Sequence, residues 1–328
     1  MNLLRHDLYI EPIDAFIDPM KPSRLAIITH GHADHARPGH DHVIATPDTI
    51  EIIKRRYGEN CAKTFEALEY GVEKKIKDVT ISLHPAGHVL GSAQVLLQYQ
   101  GYRAVMTGDY KARPDSTCAP FEVVPCDLFV TEATFGLPVF QHPDSADEIK
   151  KLLKAREEQP ERAFLIGAYA LGKAQRVIKL IREEGYDRPI YIHGALKKLC
   201  EFYQERGINL GELRSPTGLK KDDFHGEIVV GPPSALKDQW SRRFPDPVVA
   251  YASGWMTIKQ RARQSGVELP LVISDHADWN ELTETIKATG ASKIWVTHGR
   301  EDALVHYCRS IGLEAEPLYL QGRDDEED

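Results

Sequence analysis

Residues Thr29 to His35 read Thr-His-Gly-His-Ala-Asp-His and follow directly on the apolar run Leu25-Ala26-Ile27-Ile28. Three imidazoles and a carboxylate, at His30, His32, Asp34 and His35, crowd the place where a strand should end. Neutral imidazole and carboxylate are preferred ligands of zinc and similar divalent ions. Packing alone gives no reason to bring together imidazoles that repel one another once protonated, so the cluster reads as part of a metal site. His40 and His42 lie beyond the Arg-Pro-Gly turn at 37 to 39 and read as ordinary loop residues.

Further ionisable residues recur where apolar runs stop. Asp18 follows Ala-Phe-Ile, Asp109 follows Ala-Val-Met-Thr-Gly and Glu132 follows Leu-Phe-Val-Thr. His276 comes shortly after Leu-Val-Ile-Ser, His298 follows Ile-Trp-Val-Thr, and His88 sits in the Gly-bounded turn Pro-Ala-Gly-His-Val-Leu-Gly-Ser. Any one of them could be a strand-end cap or a turn residue. Together with the cluster at 30 to 35 they describe a site on the rim of a sheet, where rigid strands aim several ligands at one point.

The elements that must carry these residues are legible as alternating short apolar runs and helical patterns. Strands are expected at 79–83, 94–99, 102–106, 127–131, 163–167, 190–192, 227–230, 270–274 and 293–297. Helices are expected at 145–157, opening on a capping box Ser145-x-x-Glu148, and at 173–184, 195–206 and 302–309. The class is mixed α and β, without internal repeats or a long linker.

At 328 residues, with 42% hydrophobic and 27% charged residues, the composition is that of a soluble globular protein with a sizeable core. No run approaches the ~18 apolar residues of a membrane span, and the opening Met-Asn-Leu-Leu-Arg-His-Asp lacks a secretory pattern, so a cytoplasmic location is expected. The five cysteines, at 61, 118, 126, 200 and 308, never form Cys-x-x-Cys, which leaves nitrogen and oxygen to hold any metal. A net charge of -8 gives no global attraction to nucleic acid, so a polyanion would need a local basic surface and an electropositive centre. The final Arg-Asp-Asp-Glu-Glu-Asp reads as an acidic tail.

Gly167-Ala-Tyr-Ala-Leu-Gly-Lys-Ala approximates an ATP-binding loop, but its last position is Ala where magnesium binding needs Ser or Thr. Between a strand and a helix, with Lys173 and Arg176 in the first turns, it is expected instead to offer N–H groups and charge to a nucleic-acid phosphate. A solvated basic face is the alternative for Arg176. Ser234, in Gly231-Pro-Pro-Ser-Ala, is a candidate helix cap or phosphate contact. Arg242, Arg243, Lys259, Arg261 and Arg263 supply further basic residues.

Thr-His-x-His-x-Asp-His, the Gly-His loop and Thr-Gly-Asp resemble the metallo-β-lactamase fold, and Thr-Glu-Ala-Thr-Phe-Gly, Ser-Asp-His-Ala-Asp and Val-Thr-His-Gly resemble its β-CASP nuclease branch. More narrowly, His-Ala-Asp-His-Ala-Arg-Pro-Gly-His, His-Pro-Ala-Gly-His-Val-Leu-Gly-Ser-Ala-Gln-Val, Gly-Asp-Tyr-Lys, Cys-Ala-Pro-Phe-Glu and Ala-Ser-Gly-Trp-Met resemble the bacterial ligase-associated DNA exonucleases. The resemblance implies a four-layer αβ/βα sandwich in two halves, 1–135 and 256–328, with a β-CASP cap inserted at 136–255.

It also implies roles. His30, His32 and His88 would bind one divalent ion, most simply zinc with manganese as the alternative. Asp34 and His35 would bind a second, with Asp109 bridging and His298 completing the set; Asp34 counts among the catalytic groups as well. Asp18 would orient the ligand loop, with Asp14 as a competitor. His276 would contact the scissile phosphate and protonate the leaving oxygen, oriented by Glu132. The implied activity is trimming of DNA ends in repair, with an ATP-dependent DNA ligase and a helicase as partners and no membrane. His298 keeps an RNA-processing β-CASP nuclease open, because RNA enzymes of that branch carry His there. A small-molecule hydrolase of the same fold has no use for an inserted basic cap, and a catalytically dead subunit would lack ligands that this chain retains.

Overall fold

Strict alternation along the strands decides the layering. A computed structural model describes residues 3–264 and 266–319; the acidic tail at 323–328 lies outside them. The chain divides into two compact units, one running to Gln141 and resuming at His276, the other spanning His142–Asp275.

The first unit contains two sheets. Five strands, Tyr9–Ile10, Ala15–Ile17, Leu25–Ile27, His40–Ala45 and Ala62–Ala67, pair in that order. Seven more pair in the order Glu314–Pro317, Lys293–Gly299, Leu128–Ala133, Tyr102–Met106, Ala93–Tyr99, Val79–Pro85 and Lys74–Ile76. Successive side chains point to opposite faces of a strand. Leu25 and Ile27 therefore join Val95, Leu97, Leu128 and Val130 in a core between the sheets. Their neighbours Ala26 and Ile28 face Ile50 and Ile53 of the helix Pro47–Tyr57. On the other side Leu96 and Phe129 pack with Leu282 and Ile286 of Trp279–Thr289 and with Leu304 and Cys308 of Glu301–Ser310. Helix, sheet, sheet and helix make the four-layer αβ/βα sandwich.

The returning strand Lys293–Gly299 pairs in parallel with Leu128–Ala133, so the second unit is inserted between two neighbours of one sheet. That unit is a six-stranded, wholly parallel sheet in the order Leu213–Arg214, Ile190–Ile192, Ile228–Gly231, Phe164–Gly167, Val248–Ala252 and Leu269–Leu271. Helices Ser145–Glu158, Lys173–Glu183 and Lys197–Glu205 connect or flank its strands. The sequence reading returned the chain to the first unit near 256, but Leu269–Leu271 pairs with Val248–Ala252 and carries the inserted sheet beyond that point.

Several local expectations differ from the structure. Ser145 does not cap its helix: Asp144 does, accepting Ala146 N–H, while Glu148 accepts Val272 N–H. A reciprocal capping box forms instead between Asp278 and Glu281, starting the helix Trp279–Thr289. His40 and His42 belong to a strand rather than a loop, because the chain re-enters the sheet directly after Gly39, whose φ is +99°. No described helix is long and apolar enough to cross a membrane.

Candidate metal centre

Asp18 leaves the strand Ala15–Ile17 with φ 46° and turns its buried carboxylate back toward the next strand end. It accepts Thr29 N–H at 2.7 Å, Thr29 O–H at 2.7 Å and the Nδ1 side of His35 at 2.7 Å. A carboxylate partner fixes the His35 proton on Nδ1 and presents Nε2, as a lone-pair donor, to the opposite side. Asp14, the competing candidate, is exposed and bound to Arg24 and Tyr9.

His30, His32 and His88 converge beside it. His32 Nδ1 lies 3.1 Å from His30 Nε2 and 3.0 Å from His88 Nε2, and Asp109 Oδ2 lies 3.4 Å and 3.8 Å from those same Nε2 atoms. Nitrogen ligands around tetrahedral zinc, with bonds near 2.0–2.1 Å, stand about 3.3 Å apart, so this spacing fits a common ion. Asp34, His35, Asp109 and His298 form a second group, with His35 Nε2 3.3 Å from Asp34 and 3.4 Å from Asp109. In each group the ligand atoms lie within 4.8 Å of one another, and Asp109 is common to both. His35 Nε2, Asp109 Oδ1 and His298 Nδ1 are buried without a hydrogen-bond partner. Such atoms are costly unless something else satisfies them, and a cation would.

The scaffold aims each ligand by a local device. His88 sits in a loop whose Ser92 hydroxyl accepts the N–H groups of His88 and Val89, while Ala93 N–H is bound by Thr29 C=O. Gly108, with φ 59°, brings Asp109 past Thr29 so closely that an added Cβ would lie 2.6 Å from its hydroxyl. His298 occupies a β-bulge: Glu132 pairs with Thr297 and Ala133 with Gly299, so His298 is skipped, takes φ 57° and is re-aimed.

The electrostatics match the geometry. Burial, aided by the charge of His35, lowers His30 to about 4, so its imidazole is neutral at physiological pH, the form a metal ligand needs. Burial opposes charge on His35 too, but Asp109, Asp34 and the bond to Asp18 outweigh it and hold the imidazole well above its ordinary value. Asp109 and Asp34 are held well below theirs: burial opposes their charge, but the charge of His35 and its hydrogen bonds to both carboxylates overcome it. A metal arriving at the second group must therefore displace a proton from His35.

His276 stands apart from both groups. Glu132, buried on the strand Leu128–Ala133, binds its Nδ1 at 2.9 Å and 3.1 Å, and Thr134 Oγ1 lies 3.3 Å from the same nitrogen. The ring centroids of His276 and His88 are 4.6 Å apart, so the His276 imidazole borders the first group.

The expected phosphate contacts of the second unit are placed otherwise. Lys173 is 0% exposed and its Nζ lies 2.7 Å from the buried Asp275, while Arg176 is 2% exposed and donates to Ser274 C=O. Their charges face the interior of the unit, where the sequence reading had them facing a nucleic-acid backbone. Ser234 is exposed inside the turn Pro233–Leu236 and makes no cap, Pro232 holding that position.

Sequence reasoning passed over Thr29, although a pattern marks it. Thr29, Thr107, Thr131 and Thr297, all buried, stand one or two residues before His30, Asp109, Glu132 and His298. A β-branched hydroxyl residue lies in the last residues of each strand or just beyond them, shortly before the ionisable group. Replacing Asp18 by Asn should leave the fold intact and weaken metal retention by about 10- to 100-fold, the usual cost of losing a group that orients a ligand. Competition with a chromogenic chelator measures it; unchanged affinity would remove the role given to Asp18.

No family model matches the chain. It is 27% identical over 315 residues, 94% of its length, to 30% of a protein named probable DNA ligase from Opitutus terrae. Cleavage and polyadenylation specificity factor 73 of Drosophila melanogaster is 28% identical across 75% of this chain and 43% of its own length. An RNase J-like protein of Methanocaldococcus jannaschii is 26% identical across 52% of this chain and 47% of its own. The chain thus spans less than half the length of each of these relatives. Among solved structures, a protein of unknown function from Enterococcus faecalis V583 shares the fold, with TM-score 0.59 and 14% identity over 90% of this chain and 79% of that one. A four-layer sandwich interrupted by an inserted unit, histidines and aspartates gathered at its strand ends, and these likenesses together make the chain similar to the β-CASP branch of the metallo-β-lactamase nucleases.

Proposed function

We propose that the protein is a DNA exonuclease working with two divalent ions, zinc foremost, that hydrolyses phosphodiester bonds at DNA ends before a ligase seals them. The observation that carries the chemistry is the sharing of Asp109 between two His/Asp groups, in which His35 Nε2, Asp109 Oδ1 and His298 Nδ1 are buried without a hydrogen-bond partner. Two ions held by these residues would polarise a phosphoryl oxygen and lower the pKa of a water molecule into the neutral range. The chain's own residues do the remainder. Asp18 keeps His35 in one tautomer. Glu132 and Thr134 fix Nδ1 of His276, leaving Nε2 to give a proton to the departing sugar oxygen.

DNA is favoured because nearly the whole chain matches part of a protein named a probable DNA ligase, which supports a place beside end sealing. RNA is the second reading, favoured by His298 and by relatives named endoribonuclease YSH1 and ysh1. Incubating the purified protein with end-labelled DNA and RNA of one sequence, with and without added metal, separates the two. Metal-dependent shortening of DNA from its ends is expected; degradation of RNA beside intact DNA would overturn the substrate.

A further inference from the structure

Two segments meet within the first unit on a network of four charges, three of them buried and Arg113 half-exposed. Lys111, 5% exposed, points its Nζ at Glu281 Oε2 and at the backbone carbonyl of His276, 3.4 Å from each. Arg113 donates its N–H to Glu281 Oε1 at 2.7 Å and pairs through its guanidinium with Asp278. Asp278 N–H in turn binds Glu281 Oε2 at 3.0 Å. Between these charges the backbones are stitched together, Ala277 N–H to Tyr110 C=O at 2.7 Å, and Tyr110 N–H reaches Glu132 Oε1 at 2.7 Å. One segment begins at Asp109, the shared ligand, and the other at His276.

A buried lysine and two buried carboxylates gain little net stability from their pairing, since desolvation offsets much of the attraction and an apolar cluster of equal volume would serve as well. What such a network does supply is a fixed relative position. We infer that Lys111 and Glu281 are positioning residues that set His276 against Asp109 through the His276 carbonyl, so that the imidazole meets the leaving oxygen in register. The inference rests on the proton-donor reading of His276 and adds the residues that make the reading work. The charge balance also explains why a single replacement is tolerable: in Lys111→Met, Glu281 keeps Arg113 as its counter-charge.

The test compares Lys111→Met, His276→Ala and the double variant, each as the full chain, on whichever oligonucleotide the wild type cuts. Lys111→Met is expected to lower kcat about 10- to 100-fold, the scale of an ångström-level misplacement, with KM and bound metal unchanged. In the His276→Ala background the same change should cost nothing further, because a residue acting only through another has no effect once that other is gone. A full additional loss in the double variant, or loss of metal from Lys111→Met, would overturn the inference. The His276 ring resonance, assigned by its disappearance in His276→Ala, gives a readout independent of turnover. It should shift or broaden in Lys111→Met, and an unchanged resonance counts against the role even if the wild type cuts nothing, the result that would sink the nuclease reading instead. If Lys111→Met does not fold, Glu281→Gln keeps one of the two backbone N–H bonds, from Arg113 or Asp278, while removing the charge facing Lys111, and the same outcomes apply.

Discussion

Asp109→Ala is expected to strip both ions from the centre and reduce hydrolysis by on the order of 10³-fold or more, since metal assistance supplies several kcal/mol and each 1.4 kcal/mol is a factor of ten. Asp109 Oδ2 lies within 3.8 Å of three separate imidazole nitrogens, on His30, His35 and His88, so its removal opens both ligand groups at once. Asp18 and Glu132 cannot take its place, because Asp18 is committed to Thr29 and His35, and Glu132 to His276 and Tyr110. The loss also removes the charge that most strongly keeps His35 protonated in the metal-free protein. Metal content by mass spectrometry of the native protein, read beside the rate, decides the matter. Two ions retained with activity gone would mean that Asp109 orients substrate and bridges nothing.

The centre was legible in the sequence to the extent that its parts are local. His30, His32, Asp34 and His35 lie in one loop, and no fold can pull them far apart. Asp109, Glu132 and His298 were visible because apolar runs ended just before them, although the bulge that turns His298 inward depends on pairing with a strand distant in sequence. Lys173 shows where such reasoning runs out. A glycine-flanked loop opening a helix does announce an anion site, but its lysine is taken by Asp275, whose approach no local pattern records. The same limit applies to Ser145, which lost the cap to its neighbour Asp144, and to His40, which is drawn into the sheet by pairing with Ala62. Lys111 entered only as the last residue of Gly-Asp-Tyr-Lys, with no role attached, and Glu281 carried no signal, since a glutamate in a helical first turn is ordinary until the two segments meet.

His276→Ala should lower turnover on nucleic acid by about 10²- to 10⁴-fold, the range of a positioned general acid, and leave both metal groups filled. His276 and Glu132 can be drawn into a third ligand set with Asp109, but the 2.9 Å bond between imidazole and carboxylate already engages that carboxylate, which suits an oriented proton donor better than a ligand pair. A donor and a simple phosphate contact are separated by the leaving group. A sugar oxygen departs poorly without a proton, whereas a nitrophenolate departs readily as the anion. The variant should therefore lose most of its activity on an oligonucleotide and far less on a nitrophenyl phosphodiester, with wild-type metal content on both preparations. Equal losses on the two substrates would leave His276 as a phosphate contact, and release of metal would make it a ligand.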